Sequence, residues 1–102
     1  MANIPEKSSS SKAEDKIEKP SLYNIFYLND DYTSFDFVIA SLIHFFHKSK
    51  DEAIVMANNG HKTGKFCAGT DTFEIAETKV YCIMENAKKH GFPLKVILEK
   101  VN

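Results

Sequence analysis

Apolar residues are spread unevenly along this chain, and that unevenness limits what can fold. Only five fall in the first 21 residues, whereas residues 22–102 hold 39, about half of that stretch. Residues 7–19 alternate serine, lysine and acids. Such a segment buries too little surface to offset the entropy of ordering it, so a disordered N-terminal extension over 1–21 is expected. The remainder, 22–102, is long enough for one small domain. The longest apolar runs are four or five residues, far short of the ~20 that cross a bilayer. The extension has no apolar centre, so no secretory signal is expected, and the setting is read as cytoplasmic. Cys67 and Cys82 are then expected as reduced thiols, taken as small buried residues. Formal charge is −1, with 13 lysines, 14 acids and no arginine. That balance argues against nucleic acid as a partner.

Within the domain, LYNIFYL (22–28) is β-branched and aromatic, bounded by Pro20 and by Asn29-Asp30-Asp31. It reads as a buried strand. Phe35, Val38, Ile39, Leu42, Phe45 and Phe46 recur at helical spacing and mark an amphipathic helix. Ser49 with Glu52 three residues on is a capping box, opening a second helix over about 50–57. Asn58-Asn59-Gly60 is expected to end it, since these residues tolerate the left-handed terminal conformation. Residues 64–69 are read as a short strand between glycines. Asp71 or Thr72 caps a long third helix, with Phe73, Ala76, Val80, Ile83, Met84 and Ala87 as its stripe and Gly91 as its stop. A final strand runs from Pro93 to 101. The order β-α-α-β-α-β implies an α+β domain, a three-stranded sheet with three helices on one face.

Few residue groupings promise catalysis. His44 and His47 lie three apart near Asp36, but zinc needs three or four convergent ligands. A thiol with His61 as base lacks any local motif, and there is neither a glycine-rich phosphate loop nor a nucleophile elbow. No catalytic residue, metal or cofactor is expected. A thiol or metal enzyme remains the third reading; it would lose activity on alkylation or chelation. Asn29-Asp30-Asp31-Tyr32-Thr33 is the more unusual segment. It fits a strand-to-helix turn, because Asn and Asp bond their own backbone there. It also fits a row of acceptors aimed at a cation.

That block, with Phe37-Val38-Ile39, Phe45-Phe46, His61, Gly64-Lys65, Ala76-Glu77-Thr78-Lys79 and Pro93-Leu94, resembles the ClpS family over about residues 22–102. ClpS proteins are bacterial adaptors that deliver N-end-rule substrates to the ClpA–ClpP protease. The resemblance implies a small α/β domain with three antiparallel strands and three helices. It implies binding of a free N-terminal Leu, Phe, Tyr or Trp. The ammonium would meet Asn29, Asp30 and His61. The side chain would enter a pocket with Asp31 and Thr33 at its rim and Phe35, Val38, Leu42, Ala57, Gly60 and Leu94 around its wall. Glu74, Thr78 and Lys79 would contact the ClpA-type AAA+ unfoldase, and the extension would engage it during hand-over. The asymmetry of such an adaptor suggests a monomer. If His61 accepts a hydrogen bond it must be neutral, so binding should weaken below about pH 6. A flat profile from about pH 8 to 5.5 would remove it from that role.

The chain departs from the family pattern at three places. Ala57 and Gly60 stand where bulkier apolar residues such as Met and Val are usual, and Phe35 where Met is common. A pocket reshaped rather than lost is the expectation, one that tolerates Phe, Tyr or Trp relative to Leu better than a typical member does; a peptide series with Leu clearly tightest would contradict it. Gly60 is also expected to loosen a loop before His61. The rival to the adaptor reading is a ribosomal-like or scaffold interaction domain, for which the acidic block is a plain turn. Such a domain would ignore free N-terminal amines.

Overall fold

The computed structural model describes residues 20–101. The expected disorder of the N-terminal extension falls mostly on 1–19, outside the described residues. Six elements follow in the order β1 (Leu22–Leu28), α1 (Phe35–Phe46), α2 (Lys50–Thr63), β2 (Lys65–Thr72), α3 (Phe73–Lys89) and β3 (Lys95–Lys100). The strands form one antiparallel sheet in the order β2-β1-β3. This is the expected α+β architecture. The aromatic segment that opens the domain takes the central place, paired on both edges.

Cross-strand pairs sort the two faces. Ile25, Tyr27, Ala68 and Val96 are buried and join Leu42, Ala53, Ala76, Ile83 and Ala87 of the helices in one core. Each fully buried Ile or Leu of that set contributes roughly 1.5–3 kcal/mol. The opposite face carries Phe26 between Cys67 and Ile97, with the Lys65 ammonium 4.5 Å above the Phe26 ring and ion-paired to Glu99 at 2.8 Å. Cys67 and Cys82 are both free thiols, but the expected burial fails: both are exposed. Cys67 falls on the open face because it pairs with Phe26 rather than with a core-facing residue.

The caps decide where the helices run. The Ser34 hydroxyl accepts from the Phe37 N–H at 3.1 Å and starts α1. The Ser49–Glu52 box is formed in both directions, each bond 3.1 Å. Thr72 is the N-cap of α3 but makes no side-chain bond there.

The end of α2 differs from expectation. Asn58, Asn59 and Gly60 lie inside the helix, which continues to Thr63 and stops at Gly64, where φ is +90°. Gly60 is buried, so there is no loose loop before His61. β2 likewise runs to Thr72 rather than 69. A register shift opposite Ile25 and Phe26 inserts Ala68 as the extra residue of a bulge.

Candidate functional site

Three chain segments meet at one end of the sheet. β1 ends at Leu28, and the acidic block turns away from it. The Asn29 N–H donates to the Gly64 carbonyl at 2.8 Å, which ties that turn to the end of α2. The turn is organised by Asp30. Its Oδ1 accepts the backbone N–H of Tyr32 at 2.7 Å and of Thr33 at 2.6 Å, and its Oδ2 accepts the Thr33 hydroxyl at 2.8 Å. Burial acts to raise the Asp30 pKa, but the bonds from Thr33 and Tyr32 outweigh it and hold the carboxyl below its usual range. The turn and cation readings of this block are thus compatible. Asp30 shapes the loop, and spare acceptor capacity remains on Oδ2.

Between this loop and the last two turns of α2 lies a cavity of about 510 Å³. Asn29, Asp30 and His61, the three residues expected to meet an amine, all line it. So do Asp31, Thr33, Phe35, Val38, Ala57, Gly60 and Leu94. Leu42 does not. It is fully buried in the core, one helical turn beyond Val38, and its side chain is spent on packing. Sequence reasoning missed Tyr27, Leu28, Asn58 and Phe66, which also contribute to the wall. Asn58 was taken for a helix stop. Phe66 points to the helix side because it faces Tyr27 across the sheet, a register set by strand pairing and not by the local sequence.

The carboxylates and the helix end at the cavity share one sign. Among the described residues, the acidic groups that line the cavity are the carboxylates of Asp30 and Asp31, and no lysine lines it. The end of α2 that borders it is the C-terminal, electronegative end of the helix dipole. A cation is favoured at the mouth and an apolar group deeper in. Beneath the wall, the Tyr27 hydroxyl and Ser41 share a buried hydrogen bond of 2.8 Å. Burial pushes the phenol pKa up, against the smaller lowering from that bond, so Tyr27 stays neutral.

The second expected surface is on α3. Glu74 and Thr78 are exposed one turn apart, the Thr78 hydroxyl donating to the Glu74 carbonyl at 3.0 Å. Lys79 is half-buried. Its ammonium reaches Asp71 at 3.4 Å and lies 4.9 Å from the Phe46 ring centre. Among the described residues, no group of three or more His, Cys, Asp or Glu side chains could hold a metal ion, and no helix is long and apolar enough to cross a membrane.

Fold and cavity together define a small α/β binding module, with an apolar recess behind an acidic and amide rim. Comparison with known proteins narrows that class. Residues 18–97 match the family described as ATP-dependent Clp protease adaptor protein ClpS. The ClpS adapter of Rhodospirillum centenum is 44% identical over 89 residues, 87% of this chain and 82% of that protein. ClpS 1 of Rhizobium meliloti is 46% identical over 85 residues, 83% of this chain and 73% of that protein. The structure of Agrobacterium tumefaciens ClpS2 bound to L-phenylalaninamide superposes with a TM-score of 0.78 at 34% identity, covering 81% of this chain and all of that one. The chain belongs to the ClpS family. It is an adaptor of an ATP-dependent Clp protease and not an enzyme.

Proposed function

We propose that this adaptor binds the free N-terminal residue of proteins that begin with Leu, Phe, Tyr or Trp. It delivers them, as a cytoplasmic monomer, to a ClpA-type AAA+ unfoldase of the ClpAP protease. The observation that carries this reading is the pairing, in one cavity, of an anionic rim with an apolar recess. An α-ammonium is a cation with three donors, and desolvating it without acceptors is costly. The Asn29 amide oxygen, a ring nitrogen of His61 and the remaining acceptor of Asp30, directly or through water, supply three. Charge-assisted bonds of this kind contribute about 1.5–3 kcal/mol each. The side chain then passes Asp31 and Thr33 into the recess of Phe35, Val38, Ala57, Gly60 and Leu94, where burying Leu or Phe adds about 1.5–3 kcal/mol. L-phenylalaninamide, the ligand of the Agrobacterium tumefaciens relative, has this pattern: a free α-amine and a benzyl side chain.

For hand-over, Glu74 and Thr78 are the freely presented contacts on α3, with Lys79 oriented by Asp71 and Phe46 beside them. A salt-sensitive interface follows, because these groups are polar and solvent-facing.

Fluorescence anisotropy with a labelled peptide beginning with free Phe, beside its N-acetylated twin, tests the site. Micromolar or tighter binding of the free peptide alone is expected. Asn29→Ala and His61→Ala should each weaken it tenfold or more, the loss of one charged hydrogen bond. Equal or absent binding of both peptides would favour the scaffold reading instead.

A further inference from the structure

Gly60 occupies an interior position of α2, where glycine is unfavourable relative to alanine. The structure supplies a reason for it. A Cβ at position 60 would lie 2.3 Å from Cδ1 and 2.8 Å from Cε1 of Phe66. The Phe66 ring is thus seated on bare helix backbone, in space that any side chain at 60 would claim. The ring is also held from behind. It packs at a centroid distance of 5.1 Å on Tyr27, and Tyr27 is 1% exposed and bonded to Ser41. Gly60 and Phe66 both line the cavity. The wall that a side chain on the helix would have built is built instead by an aromatic ring from the sheet.

We infer that Phe66, seated on Gly60, is a specificity-determining residue that selects aromatic over aliphatic N-terminal side chains. The inference rests on the amine-and-recess reading above and deepens it. An aromatic wall offers tilted and edge-to-face contacts to Phe, Tyr or Trp at centroid separations of ~4.5–7 Å. Leucine has no quadrupole with which to answer them. The pair is also matched in volume: a methyl on residue 60 displaces the ring, and a smaller residue 66 leaves the helix backbone uncovered.

The test uses the full chain and peptides beginning with free Phe, free Leu and acetylated Phe. The wild type should bind free Phe more tightly than free Leu. Phe66→Leu, which keeps most of the bulk and removes the ring, should lower that Phe-to-Leu ratio about 3–10-fold. Gly60→Ala should lower it as well by moving the ring. The double variant Gly60→Ala/Phe66→Leu should lose less than the two single changes combined, since they act on one volume. Melting curves establish that each variant is folded. A ratio that stays put in folded Phe66→Leu, or a wild type that prefers Leu, overturns the assignment of Phe66 while leaving the amine site intact. A wild type that does not distinguish free from acetylated Phe overturns the site itself, and this inference with it.

Discussion

Two glycines in this domain each lie beneath a phenylalanine, and they serve different ends. Gly60 on α2 lies under Phe66. Gly69 on β2 lies under Phe46, where a Cβ would be 2.8 Å from Cδ1 and 3.0 Å from Cε1. Both contacts bring a ring against backbone, helix to sheet, where a methyl group would not fit. The first is open on one side to the cavity. The second is closed: Phe46 meets the edge of Tyr27 on one side at 6.2 Å and carries the Lys79 ammonium on another. The same packing device therefore holds the α1–sheet joint at one place and shapes a recess at the other. Close approach alone does not make a residue functional; what lies on the ring's free side does.

The strongest way to separate the two is to remove the closed ring. Phe46→Ala should cost about 3 kcal/mol, as for other large-to-small changes in packed positions. For a domain of this size that lowers the melting temperature by more than 10 °C, roughly. The Phe-to-Leu binding ratio should be unaffected, and a changed ratio would break the distinction. Gly69→Ala comes next. Overpacking against Phe46 should cost about 1–3 kcal/mol, again read by thermal melting with peptide selectivity preserved. Gly60→Ala should cost less than Gly69→Ala, because the gain in helix propensity of about 1 kcal/mol offsets part of the clash. Its main effect is on selectivity.

The smallest effect is electrostatic. The lowered pKa of Asp30 means its loop-stabilising contribution is fully present above the usual carboxylate range and is lost as pH falls through the folded value. Asp30→Asn should therefore melt below the wild type at neutral pH, and the two should converge in strong acid. A gap that persists at acid pH would show that Asp30 acts through something other than its charge.

How much of this was legible in the sequence varied with the origin of each feature. β1 and α1 were readable because local pattern and final burial agree. The Ser49–Glu52 box was readable because capping is a contact within four residues. Asn58-Asn59-Gly60 looked like a stop and is not one. Its reason for existing, the Phe66 ring, comes from a different element and leaves no local trace. Ten of the eleven expected pocket and amine-site residues do line the cavity. Leu42 was misplaced because helical periodicity identifies a face but not its depth. The cysteines were judged by residue type, while strand register sets the exposure of Cys67 and the helix face that of Cys82.

The backbone joins the start of β1 to the residue after β3 at the pole opposite the cavity. The Val101 N–H donates to the Leu22 carbonyl at 2.8 Å, whereas the cavity opens beyond Leu28 and Leu94. One strand length, about 20 Å, separates grip from tether. Traction applied through the segment before Pro20 would then load the sheet along β1, hydrogen-bonded on both sides. It would reach the recess only through the most heavily paired strand of the fold. A dye or affinity handle attached at Ser21 or Val101 would for the same reason leave the mouth of the recess unobstructed.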